Sequence, residues 1–210
     1  MYLIDKTYFR NKLQISGLYD SNNGIETKLD DYISIYVFDF LQKLLGSDFE
    51  ELKANITDGA IIPTAPQKWL DLINGKTYTK DGKDYVWRGL LYQNGSVKLS
   101  ILANVVYCNL IHDLVTGNGQ ISVDVKSGRM LVPRKNYIEV WNEIAKQFNQ
   151  SIDLQPKISF INGVKFTDYY GGSNNNSYRT LTDFLFDFEE NYPNVNICLG
   201  YEIINSFDLC

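Results

Sequence analysis

Asp183, Asp187, Glu189 and Glu190 form the densest run of carboxylates in the chain. Asp183 and Asp187 stand one helical turn apart, a spacing that suits a paired acid and base or a divalent cation. Such a pair becomes a reactive site when a glycine-rich loop or a histidine completes it, and neither accompanies this one. The expectation is therefore a solvated helix face opposite Phe184 and Phe188, with Asp183 supporting the first turn. His112 is the single histidine, which leaves no spare residue for a two-histidine metal site or a Ser-His-Asp triad. Cys108 precedes it by four residues on the same helical face, the relation a thiol–imidazole pair uses. Val105 and Ile111 surround that cysteine, so a buried, inert thiol is expected, with His112 as a helix-end residue.

Asn-Gly and Gly-Gly pairs recur at 23–24, 74–75, 94–95, 162–163 and 171–172, yet no GxGxxG or GxxxxGK[ST] stretch is present to cradle phosphate. They read as turns. Tyr85, Trp87, Tyr92, Tyr169 and Tyr170 could stack a base or a sugar, but lysine and arginine are not clustered beside them. Aromatic side chains in hairpins and loops equally mark contacts between proteins. With 20 basic against 25 acidic residues the chain carries −5, the wrong sign for gripping a nucleic-acid backbone. No cofactor or metal is expected.

Three cysteines, Cys108, Cys198 and Cys210, are widely spaced without a CxxC pair, which reads as reduced thiols. Asp5, Lys6 and Arg10 interrupt the N-terminus where a signal peptide needs an apolar run, and no stretch reaches the length of a membrane span. A soluble intracellular protein made without export is the expectation. At 210 residues and 44% hydrophobic composition, one core can form without staples.

The elements that would position these residues follow from periodicity. Leu29, Ile33, Tyr36, Val37, Phe40, Leu41, Leu44 and Leu45 recur at helical spacing and predict a helix over 26–45. Gly46 stops it, and Ser47-Asp48 is positioned to cap a short helix at 48–56. Gln67 to Ile73 reads as a short helix after Pro66, and strand-like runs around Asp81-Gly82 predict a hairpin at about 76–91. Asn94-Gly95 then ends the hairpin, and Ser96 caps a helix at 96–115 that is apolar nearly all round and belongs at the centre of the core.

Residues 118–135 alternate through Ile121, Val123 and Val125 and return through Met130, Leu131 and Val132, a second hairpin or arm. A helix is predicted at 137–149, a strand pair at 157–166, and a last short helix opened by Thr180 with Asp183. Residues 197–210 read as a strand-like tail. The fold class is α+β, mainly α: a helical core with protruding hairpins and an extended C-terminal segment. It divides into a core at 1–150 and an extension at 151–210.

Within 85–142 the order of elements is distinctive: YVWRGL closing a hairpin, the helix SVKLSILANVVYCNLIHDLV, a glycine-containing arm, then a helix bearing Trp141-Asn142. With the upstream LLG at 44–46, residues 26–149 resemble connector-like structural proteins of tailed phages infecting Bacteroidetes, including crAss-like phages. The resemblance implies a non-enzymatic virion protein of the neck or tail, synthesised in the host cytoplasm. It would be a head-to-tail adaptor, stopper or tail-ring subunit. Its partners would be further copies in a ring, commonly dodecameric, together with the portal and neighbouring tail proteins. Genomic DNA would pass through the lumen without specific binding, and no membrane would be involved. The arm is the natural assembly contact, through Ile121, Val123, Val125, Met130, Leu131 and Val132, with Tyr169 and Tyr170 beyond it. The alternatives are a small enzyme or ligand-binding module using Asp183 and Asp187, or a phage factor that inhibits a host protein.

Overall fold

Helix α1 (Ile25–Leu45) forms where the apolar period predicts it. Leu29, Ile33, Val37, Phe40, Leu41, Leu44 and Leu45 are all buried, one stripe of a 3.6-residue repeat. The computed structural model describes residues 3–10, 13–15, 18, 25–95, 97–116 and 179–195. A 3-10 turn at Gly46–Asp48 leads into α2 (Phe49–Ala54), shorter than expected. Asp48 makes no side-chain cap there; its carboxylate accepts from Asn194 Nδ2 at 2.8 Å instead.

Two-residue strands β1 (Ile56–Thr57) and β2 (Ala60–Ile61) then pair around Asp58-Gly59. The sequence reading passed over this hairpin because its flanks are too short to show alternation. Helix α3 (Gln67–Asn74) follows Pro66, and β3 (Lys76–Lys80) pairs antiparallel with β4 (Lys83–Trp87) in the register Tyr78↔Tyr85. Asp81 and Gly82 both take positive φ in its turn, the conformation that an Asp-Gly pair favours in tight hairpins.

The predicted helix at 96–115 is corrected at its start. Residues Val97–Leu99 form β6, paired with β5 (Tyr92–Asn94) around Gly95, and α4 runs over Ile101–Thr116. Asn94-Gly95 is thus part of a hairpin and not a stop before a helix. The alternation of Val97, Lys98 and Leu99 fits a strand, and the apolar run behind it concealed the change of period. The cap is Ser100, whose Oγ accepts from Leu102 N at 3.1 Å. The central placement of this helix holds: Leu102, Ala103, Val106, Cys108 and Leu110 are fully buried, in one cluster with the α1 stripe.

Helix α5 (Leu181–Asp187) opens on Thr180 as expected, with both arms of a capping box formed to Asp183. Its apolar residues Leu181, Phe184 and Leu185 belong to that same cluster. The described residues therefore make a mixed fold, about 55% helical, with three small antiparallel sheets. Among them no helix is long and apolar enough to cross a membrane. The elements expected at 118–135, 137–149, 157–166 and 197–210 lie outside the described residues.

Candidate functional site

The charges of the two carboxylates that head the chemical inventory both bear on Arg179, but Asp183 bonds to Thr180 while Asp187 bonds to Tyr78 and Lys80. Asp183 turns back to the helix start, where Oδ2 accepts from Thr180 N at 3.3 Å and from Thr180 Oγ1 at 2.8 Å. Asp187 turns the other way, toward the β3–β4 hairpin. Tyr78 donates its hydroxyl proton to Asp187 Oδ2, and Lys80 Nζ lies 2.8 Å from Oδ1. Arg179 Nε is 2.9 Å from Oδ2 as an ion pair, although its N–H is not aligned for a hydrogen bond. The Asp187 side chain is only 9% exposed, so the expected solvated face is corrected: this carboxylate is a structural latch. Glu189 and Glu190 are exposed in the 3-10 turn that follows.

Aromatic packing surrounds the latch. The Arg179 guanidinium sits 3.7 Å from the centre of the Tyr85 ring, a stacked cation–π contact. Trp87 lies parallel to Phe184 with centroids 5.4 Å apart, while Trp87 Nε1 donates to Leu72 O at 3.1 Å. The hairpin is thereby tied to α3 on one side and α5 on the other. Tyr78 meets Phe188 edge-on at 4.8 Å. Tyr192 packs against Trp69 at 5.9 Å and donates to Lys68 O. Beneath them Asp71 accepts from Gln67 and from Lys76, whose ammonium lies 4.6 Å from the Phe188 ring centre.

Of the aromatic residues considered for stacking a base or a sugar, Tyr85 is taken by Arg179 and Trp87 is buried. Tyr92 lies 5.0 Å from the Arg88 guanidinium. Tyr169 and Tyr170 lie outside the described residues, as do the assembly contacts Ile121, Val123, Val125, Met130, Leu131 and Val132. Cys108 is fully buried, and burial pushes its thiol up to about 12, which removes the thiolate that nucleophilic chemistry needs. His112 falls in the second half of α4. Among the described residues no group of three or more His, Cys, Asp or Glu side chains is placed to hold a metal ion.

Sequence reasoning missed Tyr78, Lys80 and Arg179 as partners of Asp187. Lys80 and Asp187 are 107 residues apart, and no local pattern couples positions so distant. Compared with protein families, curated proteins and solved structures, the chain matches none.

The latch yields two expected results. Asp187→Asn should lower stability by about 1–3 kcal/mol, because Tyr78 loses a charged acceptor and Arg179 its ion-pair partner in a largely buried setting. The Lys80 share is small, since that side chain is 43% exposed. Urea unfolding at neutral pH measures the difference, and an unchanged midpoint would remove the latch from the account. The second result concerns alkaline pH. Burial and then the Asp187 carboxylate raise the Tyr78 phenol above its ordinary value, and burial and then Asp71 raise that of Tyr192. In the unfolded chain both ionise near about pH 10. The folded state holds these protons more tightly, so their stabilising effect is complete below about pH 10 and lost as pH rises beyond it. Stability should therefore fall as pH rises above about 10, and Tyr78→Phe should soften that fall. An identical slope in the two proteins would count against it.

Proposed function

We propose that this chain is a virion structural protein, a subunit of a ring in the head-to-tail connector of a tailed phage. The ring would join portal to tail and form part of the channel through which DNA leaves. The reading is carried by the sequence over 26–149, from the LLG at 44–46 through YVWRGL to Trp141-Asn142, which resembles connector-like proteins of phages infecting Bacteroidetes. The described part of that region adds support of a physical kind. Helices α1 and α4 share one apolar core, and the β3–β4 hairpin ends in the exposed residues Lys80, Asp81, Gly82, Lys83 and Asp84. A firm helical wedge with hairpins at its surface suits a subunit that meets neighbours on two sides. The latch also bears on the catalytic alternative. Asp183 and Asp187 are engaged in capping and ion pairing, and a carboxylate so held is a poor proton shuttle.

Under this reading the 118–135 arm is the assembly contact, because its alternating apolar residues need a second surface to bury one face. Light scattering and negative-stain images of the full-length protein should show closed rings, alone or on portal rings. Ile121→Asp with Val123→Asp should abolish those rings while leaving the thermal unfolding of the subunit in place. Rings that survive the double substitution would exclude the arm. A protein that stays monomeric both alone and with portal would contradict the ring itself.

A further inference from the structure

Helix α5 has seven residues and α3 has eight, and β3–β4 is a sheet of two strands. None of the three persists alone: isolated helices shorter than about 12–15 residues are marginal in water, and so is a lone hairpin. Their order comes from one another. Leu181, Phe184, Leu185 and Phe188 fall at i, i+3, i+4 and i+7, the apolar stripe of an amphipathic helix, and α5 lies in a groove formed by α3 and the hairpin. Phe184 stacks on Trp87 and meets Tyr192, which packs on Trp69. The hairpin is joined to α3 in turn by Trp87 Nε1 donating to Leu72 O. Polar fastenings hold segment 179–195 at three points: Arg179 N on Val86 O at 2.9 Å, Asp187 on Tyr78 and Lys80, and Asn194 on Asp48. By contrast, α1 and α4 have 21 and 16 residues and pack on each other more extensively than any other two described helices.

We propose that α3, the β3–β4 hairpin and segment 179–195 open and close as one cooperative unit while α1 and α4 stay paired, with Asp187 as the fastening that holds the unit shut. Native proteins open in contiguous cooperative units at free energies below that of global unfolding. Here the unit that opens first is the one whose elements cannot stand alone. When α5 leaves, Trp87 loses its stacking partner and Tyr78 its acceptor, so the hairpin and then α3 lose order with it. Opening bares Trp69, Trp87 and Phe184, all buried in the closed form, and so changes how much aromatic surface the molecule presents. The inference goes beyond the connector reading and requires nothing of the virion.

The test is native-state hydrogen exchange of the full-length protein in low urea, read by mass spectrometry. Hydrogen-bonded amides of 67–74, 76–87 and 181–187 are expected to share one opening free energy and one urea dependence, both below those of the α1 and α4 interiors. Asp187→Asn should speed exchange in all three stretches by roughly tenfold and leave α1 and α4 unchanged. Tyr78→Phe removes one donor to the same carboxylate and keeps the ring. It should give the same pattern at smaller amplitude, and it carries the test if Asp187→Asn fails to fold. The proposal is overturned if exchange quickens as much in α1 and α4 as in the three stretches, if 181–187 alone responds, or if no stretch responds. Ring images and virion composition do not enter this result, so its failure leaves the connector reading to its own tests.

Discussion

Gly89→Ala is expected to cost roughly 3–5 kcal/mol, enough to leave much of the protein unfolded. Gly89 has φ +85°, and a Cβ there would lie 2.5 Å from Gly75 N and 2.6 Å from Ile73 O. These atoms are backbone, so no side chain can swing aside. The facing residue is equally constrained: Gly75 has φ +95°, and its added Cβ would lie 2.6 Å from Trp87 O. The two glycines let the chain leaving β4 run against the end of α3, where Leu90 N donates to Leu72 O at 3.1 Å and Leu91 N to Ile73 O at 2.9 Å. That contact places Trp87 over α3 and so fixes the groove that α5 fills. Gly82→Ala is the control, since Gly82 also has positive φ, +73°, but open space around it. It should cost only about 1–2 kcal/mol. Urea unfolding of the two variants separates clash from conformation, and equal losses would show that the close approach is not real.

Val106→Asp should be at least as damaging. Val106 is fully buried on α4 in the cluster that α1 also lines, and an unpaired carboxylate there has neither water nor a cation. Leu102→Ala, one turn earlier and also fully buried, should cost roughly 2–5 kcal/mol by leaving a cavity. The charge should be worse than the truncation. Near-parental melting of both variants would make α4 peripheral and would remove the core on which α1 and α5 rest.

The legible part of the fold was the part written in short-range chemistry. Helix α1 was readable because its buried residues repeat at one period for five turns. The β3–β4 turn was readable from Asp81-Gly82, and α5 from Thr180 with Asp183. Where two periods overlap, reading failed: Val97 and Leu99 satisfy a strand, while the run after Ser100 satisfies a helix, and the two merged into one predicted helix. The Asp58-Gly59 hairpin carried the same turn pair as Asp81-Gly82 but lacked flanks long enough to show alternation. The candidate site was the least legible. Asp187 was identified as a carboxylate of interest, but its partners Tyr78 and Lys80 lie more than a hundred residues away. Only the folded core brings them together, so composition suggested a solvated face where the fold makes a buried latch.

On the connector reading a tailed phage encodes this chain, and quantitative mass spectrometry of that phage's purified particles tests the reading most directly. The account predicts peptides from it at a fixed ratio to the portal protein, retained through gradient purification and after the DNA has been ejected. Particles that are complete and infectious without this chain would contradict it.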